Sequence, residues 1–251
     1  MRILLCLLAC FAYSGAAATP PRVAIILDDI GYRHSADHRA LDLPPEIAFA
    51  VIPGSEHGRI LGATAVQQGR EVLIHLPMEP LTPHPRSLGP LSLSEDADEL
   101  SVRRVLDAAL EELPFAHGVN NHMGSRLTQQ PTHMRWLMET IVCKRNLYFV
   151  DSYTTERSVA LAAARDHAVP AARRDVFLDH DLDPAAIEYQ VQRLVRLARQ
   201  RGHALAIGHP HDVTLNALHA LPQLLQEHGI ELVSPSELIS STPIESPVEA
   251  D

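Results

Sequence analysis

Eight short apolar runs recur along the chain with helical patterns between most of them, and this alternation restricts the possible folds more than any other feature. The runs are Val23–Leu27, Ile47–Ile52, Val72–Ile74, Gly118–Asn120, Leu147–Val150, Val176–Leu178, Ala204–Ile207 and Glu231–Val233. Most are bounded by Gly, Pro, Asp or Asn, which marks them as short strands. The clearest helix opens at Asp183-Pro184, an N-cap followed by proline at the first helical position, and closes at Gly202. On it Ile187, Val191, Leu194, Val195 and Ala198 share a face, with Arg193, Arg196 and Arg199 elsewhere. A second helix follows Ser94 and runs through Leu100, Val105, Leu106 and Ala109; a third holds Trp136, Leu137, Thr140 and Ile141. Strands alternating with helices predict a parallel α/β sheet. Seven or eight such repeats in about 220 residues predict a closed or nearly closed barrel, with a doubly wound open sheet as the alternative. No glycine-rich loop of the dinucleotide or P-loop type follows a strand, so neither nucleotide cofactor is supported.

The first residues stand apart from this pattern. Met1-Arg2 precedes an apolar stretch, Ile3 to Tyr13, which gives way to small residues ending in Ala16-Ala17-Ala18. A basic start, a short apolar middle and an Ala-x-Ala ending predict a secretory signal over residues 1–18, and so a periplasmic or secreted protein. The stretch is too short for a membrane span, which needs about 20 apolar residues, and no later segment qualifies. Leu7-Leu8-Ala9-Cys10 offers lipid attachment at Cys10 as the lesser alternative, because the apolar region before it is short for a signal core. Cleavage after Ala18 removes Cys6 and Cys10, leaving Cys143 with no disulfide partner. Cys143 falls in an amphipathic helical pattern and reads as a small buried residue rather than a nucleophile. The Pro-, Ser- and Glu-rich segment 241–251 reads as a disordered tail.

Charge narrows the partners. The formal net charge is −10, and removing residues 1–18 takes away one arginine and no acid. Such a chain lacks the basic surplus that displaces counterions from phosphate, so nucleic acid is excluded as a non-specific partner. At 46% hydrophobic residues it can bury a sizeable core. No protein partner is indicated.

In a parallel barrel the chemistry gathers where strands end. The residues just past the apolar runs are Asp28-Asp29, Pro53-Gly54-Ser55, His75, Asn121-His122, Asp151-Ser152, Asp179-His180 and Gly208-His209-Pro210-His211. Of Asp28-Asp29, one carboxylate can bind a cation while its neighbour reaches a water on that cation; an isolated pair would more simply cap a loop. His75 and His122, each alone, would read as hydrogen-bonded core residues. With one Asp they make a two-histidine, one-carboxylate set suited to zinc or another divalent first-row metal. His209, from a late strand, approaches from the opposite side. Asp151 and Arg126 can orient ligands or bind substrate, and Glu79 can reach metal or sugar. Asp179-His180-Asp181 reads as a loop cluster, and His34, His38, His57, His84 and His117 as surface or capping residues.

Five ordered segments resemble the divergent polysaccharide deacetylase family of exported bacterial proteins. They are Ala24-Ile25-Ile26-Leu27-Asp28-Asp29-Ile30-Gly31, His75-Leu76-Pro77-Met78-Glu79-Pro80, Gly118-Val119-Asn120-Asn121-His122-Met123-Gly124-Ser125, Phe149-Val150-Asp151-Ser152 and Ile207-Gly208-His209-Pro210. The resemblance implies a distorted (β/α) barrel of seven or eight parallel strands, NodB-like and related to carbohydrate esterase family 4, over residues 19–240. By analogy with ordinary polysaccharide deacetylases it also implies metal-dependent removal of acetyl groups from cell-envelope glycans. Ordinary members carry two histidines four apart before a proline, whereas here Glu79-Pro80 follows His75, so the second imidazole comes from elsewhere and His122 is the candidate. Their arginine-containing substrate motif has no clear counterpart.

On this analogy Asp29, His75 and His122 hold the ion, most simply Zn2+; Asp28 is the general base and His209 the acid. Glu79, Asn121, Arg126 and Asp151 are then substrate-binding or supporting residues. Two alternatives remain: a glycan-binding or scaffold protein without turnover, and a metal phosphoesterase, for which the rim offers few basic residues. The acidic chain favours neutral chitin-like or peptidoglycan-like strands over anionic polymers.

Overall fold

Period-two alternation along β1 (Arg22–Ile30) sorts its side chains onto two faces, and the sorting explains the architecture. In the computed structural model, which describes residues 19–82, 88–144 and 146–241, Val23, Ile25 and Leu27 join an outer core shared with the helices. Ala24 and Ile26 face an inner core with Ala48, Ala50, Leu73, Tyr148, Val150, Leu205 and Ile207. The remaining strands are β2 (Ala48–Val51), β3 (Val72–Met78), β4 (Gly118–Met123), β5 (Tyr148–Asp151), β6 (Ala171–Arg173), β7 (Val176–Phe177), β8 (His203–Gly208) and β9 (Glu231–Leu232). All pairings are parallel, in the order β6-β5-β4-β3-β2-β1-β8-β7, with β9 also on β1. This is the expected distorted (β/α) barrel. β6 pairs with β5 and β7 with β8, so two residues, Arg174 and Asp175, carry the chain from one edge of the sheet to the other.

The helices are α1 (His34–Ala40), α2 (Gly58–Gln67), α3 (Glu99–Glu112), α4 (Pro131–Val142), α5 (Ala160–Asp166), α6 (Pro184–Arg201), α7 (Asp212–Glu227) and α8 (Pro235–Ser241). The expected start of α6 holds: Asp183 accepts the Ala185 N–H, and Gly202 closes the helix at φ 82°. Its five expected core residues are buried. α3 begins later than its sequence suggested, because Asp98 rather than Ser94 caps it by accepting the Ser101 N–H at 2.8 Å. α8 packs Leu238 against the inner core, and Ser236 and the Tyr148 hydroxyl share the Glu71 carboxylate.

β6 was not foreseen, since three residues of Ala-Ala-Arg carry no strand signal. Cys143 is exposed, because it stands at the C-terminal cap of α4 rather than on the buried face. Ser241, the expected first residue of the tail, still belongs to α8. The leader 1–18 with Cys10, His84 in segment 83–87, and residues 242–251 lie outside the described residues.

Candidate active site

The inner face of each strand, followed to its C-terminal end, leads to the site. Ala24 and Ile26 are succeeded by Asp28, Leu73 by His75, Gly118 by Asn120 and His122, Tyr148 and Val150 by Ser152, and Leu205 and Ile207 by His209. Alternation alone would send Asp29 to the outer face. It is brought back by an irregularity in which β1 advances from Leu27 to Ile30 while β2 advances from Phe49 to Val51, and by a left-handed φ of 61° at Asp29. Met123 (φ 55°), the last residue of β4, and Tyr153 (φ 52°), just past β5, repeat this conformation. Such backbones cost about 1–3 kcal/mol each and persist where surrounding contacts fix them. At Met123 those contacts come from Asn121 Nδ2 (2.7 Å) and Thr154 Oγ1 (3.0 Å), which both donate to its carbonyl.

Asp29, His75 and His122 come together. Asp29 Oδ1 lies 3.2 Å from His75 Nε2 and 2.9 Å from His122 Nδ1, and the two nitrogens are 3.1 Å apart. Three donors on one face of a tetrahedron with arms of about 2.0–2.1 Å would sit about 3.3 Å apart. Asp29 Oδ1 is buried, and the polar groups that face it are these two imidazole nitrogens, so its lone pairs point into the space the three atoms share. Among the described residues this is the group of His, Cys, Asp and Glu donors close enough to hold a metal ion. The donor set therefore fits a divalent ion of the zinc type.

A neighbouring amide fixes His75 and Asp28 together. Asn120 Oδ1 faces His75 Nδ1 at 2.9 Å, so Nδ1 carries the proton and Nε2 presents its lone pair to the site. Asn120 Nδ2 donates to Asp28 Oδ1 at 2.8 Å. Asp28 Oδ2 lies 3.5 Å from His75 Nε2. Burial raises the Asp28 pKa, an effect only partly offset by His75, His209 and Asn120. For Asp29 burial acts in the same direction, but the His122 and His75 imidazoles overcome it and hold the carboxyl well below the usual range. Burial alone would depress His75, and the Asp28 and Asp29 charges raise it instead. A cation held at His75 Nε2 would have to displace that proton, so its affinity would weaken as pH falls.

His209 Nε2 stands 3.9 Å from Asp29 Oδ2 on the far side, and Asp179 holds the ring. Asp179 Oδ1 pairs with His209 Nδ1 at 2.9 Å; its Oδ2 accepts from the His209 N–H (2.6 Å) and from Thr214 Oγ1 (2.9 Å). Burial would lower the imidazole pKa, but the Asp179 hydrogen bond and charge push it up to about 9. Asp179 is therefore part of the site and not of a loop cluster. A histidine raised from its ordinary 6.5 to about 9 stabilises the fold fully below pH 6.5, and that contribution is lost as pH rises through 9. Asp179→Asn should flatten the fall in Tm between pH 6.5 and pH 9.5 relative to the parent protein; parallel melting curves would show that Asp179 does not hold this proton.

These groups open into a cavity of about 420 Å³, whose other wall is formed by Ser152, Tyr153, Arg174, Phe177 and His180. Arg174 supplies an arginine where the motifs suggested none. It donates to the carbonyls of Ser152 (2.7 Å) and Tyr153 (2.9 Å), stacks 4.8 Å from the Phe177 ring, and its charge acts on Asp28.

Of the four expected supporting residues, Asn121 lines the cavity and the other three do not. Glu79 and Arg126 pair with each other at 3.1 Å and with the Glu95 segment, which takes up their charges, and neither lines the cavity. Asp151, on the outer face of β5, accepts from the Tyr153 N–H and Ser158 Oγ at 2.8 Å each. Asn121 borders the cavity, but its amide is committed to Met123 and to the Ser152 N–H.

The family model for divergent polysaccharide deacetylases matches residues 25–239. YibQ, an uncharacterized protein of Escherichia coli K12, is 37% identical over 225 residues, covering 90% of this chain and 69% of that protein. An uncharacterized protein of Haemophilus influenzae is 35% identical over 222 residues, 87% of this chain and 78% of that one. Among solved structures, the uncharacterized protein ATU2773 of Agrobacterium tumefaciens superposes with a TM-score of 0.81 at 25% identity, covering 89% of this chain and 91% of that one. The match takes in every strand that carries an aspartate or histidine to the rim, and the chain belongs to the divergent polysaccharide deacetylase family.

Proposed function

We propose that this protein is an exported, metal-dependent hydrolase that removes acetyl groups from a cell-envelope polysaccharide. The observation that carries the reading is the convergence of Asp29, His75 and His122 within about 3 Å of one another beside a second, buried carboxylate. A divalent cation in that position supplies Lewis acidity and lowers the pKa of water toward neutrality. Asp28 takes the proton from the attacking water, and Asn120 keeps its carboxylate in register with His75. His209, protonated near neutral pH, delivers a proton to the departing amine or alcohol, and Asp179 keeps its Nε2 turned to the site. The cavity is large enough for a sugar residue beyond the acetyl group. The leader-like residues 1–18 support periplasmic location or secretion, and the net charge of −10 supports a neutral glycan.

The test is elemental analysis of the purified protein followed by acetate release from N-acetylated amino-sugar oligomers and from O-acetylated glycan. One equivalent of metal with acetate release is expected. Metal without release, together with retention of the oligomers, would replace the reading by a glycan-binding protein on the deacetylase fold; absence of metal at neutral pH would overturn it.

A further inference from the structure

Outside the site just described, one carboxylate is buried more completely than any function assigned to it explains. Asp37, in the first turn of α1, is 0% exposed. Its Oδ2 accepts the N–H of Gly31 at 2.9 Å and that of Arg33 at 3.0 Å, and its Oδ1 is buried without a partner. Those two amides belong to the turn that leaves β1 directly after Asp29.

The turn is unusual throughout. Asp29 is left-handed, and Gly31, at φ 128°, has no room for a side chain, since a Cβ there would fall 2.0 Å from Ser55 Oγ. Backbone contacts hold its outer side, the Ile52 N–H on the Ile30 carbonyl and the His57 N–H on the Gly31 carbonyl. The N–H groups of the inner side have no ladder to join once β1 ends, and Asp37 takes two of them. A backbone in a sparsely populated conformation stays there only while such contacts over-determine it.

We propose that Asp37 is a positioning residue for the metal ligand: by tying Gly31 and Arg33 to α1 it fixes the left-handed turn at Asp29 and so aims Asp29 Oδ1 at His75 and His122. The inference rests on the metal-site reading above. Burial pushes the Asp37 carboxyl up from its ordinary value, so the neutral amide of asparagine, with its carbonyl oxygen in the same place, can accept the same two bonds.

The test is Zn2+ affinity, measured by competition with a chromophoric chelator at constant pH, on the full chain and on Asp37→Ala and Asp37→Asn. Losses of outer contacts that orient metal ligands typically amount to 10–100-fold, so Asp37→Ala should bind Zn2+ roughly 10–100-fold more weakly, and Asp37→Asn within about threefold of the parent. Equal affinity in a folded Asp37→Ala protein, or an Asp37→Asn protein as weak as Asp37→Ala, overturns the proposal. A parent protein that binds no Zn2+ overturns the metal reading itself. If Asp37→Ala does not fold, hydrogen exchange on the parent protein decides: by thermodynamic reciprocity Zn2+ should slow exchange at the Gly31 and Arg33 amides, and unchanged exchange there with Zn2+ bound overturns the proposal.

Discussion

Replacing Asp28 by asparagine should reduce acetate release about 10³-fold while leaving Zn2+ binding in place. General-base catalysis contributes about 10²–10⁴-fold, and the substitution removes the base without removing a ligand. Asparagine can still accept the Asn120 Nδ2–H through its Oδ1, so the geometry around His75 survives. The comparison to make is kcat on a fixed acetylated oligomer against Zn2+ stoichiometry in the same preparation. Turnover within about tenfold of the parent would remove Asp28 from the base role; loss of the ion along with turnover would make Asp28 a ligand.

The second large effect concerns stability. Arg70 is 2% exposed, and the Glu46 charge only partly offsets the cost of burying it. Its guanidinium donates to the carbonyls of Pro44 (2.8 Å), Leu43 (2.9 Å), Leu41 (3.4 Å) and Ile47, and rests 4.3 Å over the Phe49 ring. Residues 41–47 form the irregular link between α1 and β2, where backbone carbonyls have no ladder, and one planar side chain satisfies them. Burial lowers the Arg70 pKa to about 10, yet it remains charged at neutral pH. Arg70→Met fills similar volume but takes the donor from the Leu41, Leu43 and Ile47 carbonyls, Pro44 keeping the Ile47 N–H, and should cost about 4 kcal/mol, or roughly 10 °C in Tm. Lysine should rescue little, because a point charge cannot span four carbonyls. Urea unfolding with a chelator present measures this apart from metal binding; a loss below about 1 kcal/mol would mean that water replaces the guanidinium there.

The two predictions also mark what could be read from the sequence. The cluster of Asp29, His75 and His122 and the buried Asp28 are legible because strand-end positions in a parallel barrel converge and because five ordered motifs point to one family. The residues around them are less legible, for a definite reason. Counting in twos from Ala24 and Ile26 reaches Asp28; the same count along β4 and β5 reaches Asn120 and Ser152, whereas Asp151, more conspicuous by charge, faces the other way, and Asn121, though it borders the cavity, commits its amide to Met123 and Ser152. Applied to β7, it links Phe177 to Asp179, the carboxylate that holds His209. Asp29 breaks the count, and nothing in the letters Asp-Asp-Ile-Gly announces the irregularity in β1 that turns it back, although Gly31 is consistent with a tight turn. Arg70 and Arg174 carried no signal, since isolated arginines at helix and strand boundaries ordinarily face water.

The passage of the chain from β6 to β7 has a mechanical meaning. Elsewhere around the circumference neighbouring strands are joined by hydrogen bonds, which can break and re-form one rung at a time. Across Arg174-Asp175 the ring is joined by the polypeptide itself, so this part of the wall cannot slip in register. Circular permutants of such barrels can carry new termini in exposed loops, but here a cut would unlatch the hoop where it borders the cavity.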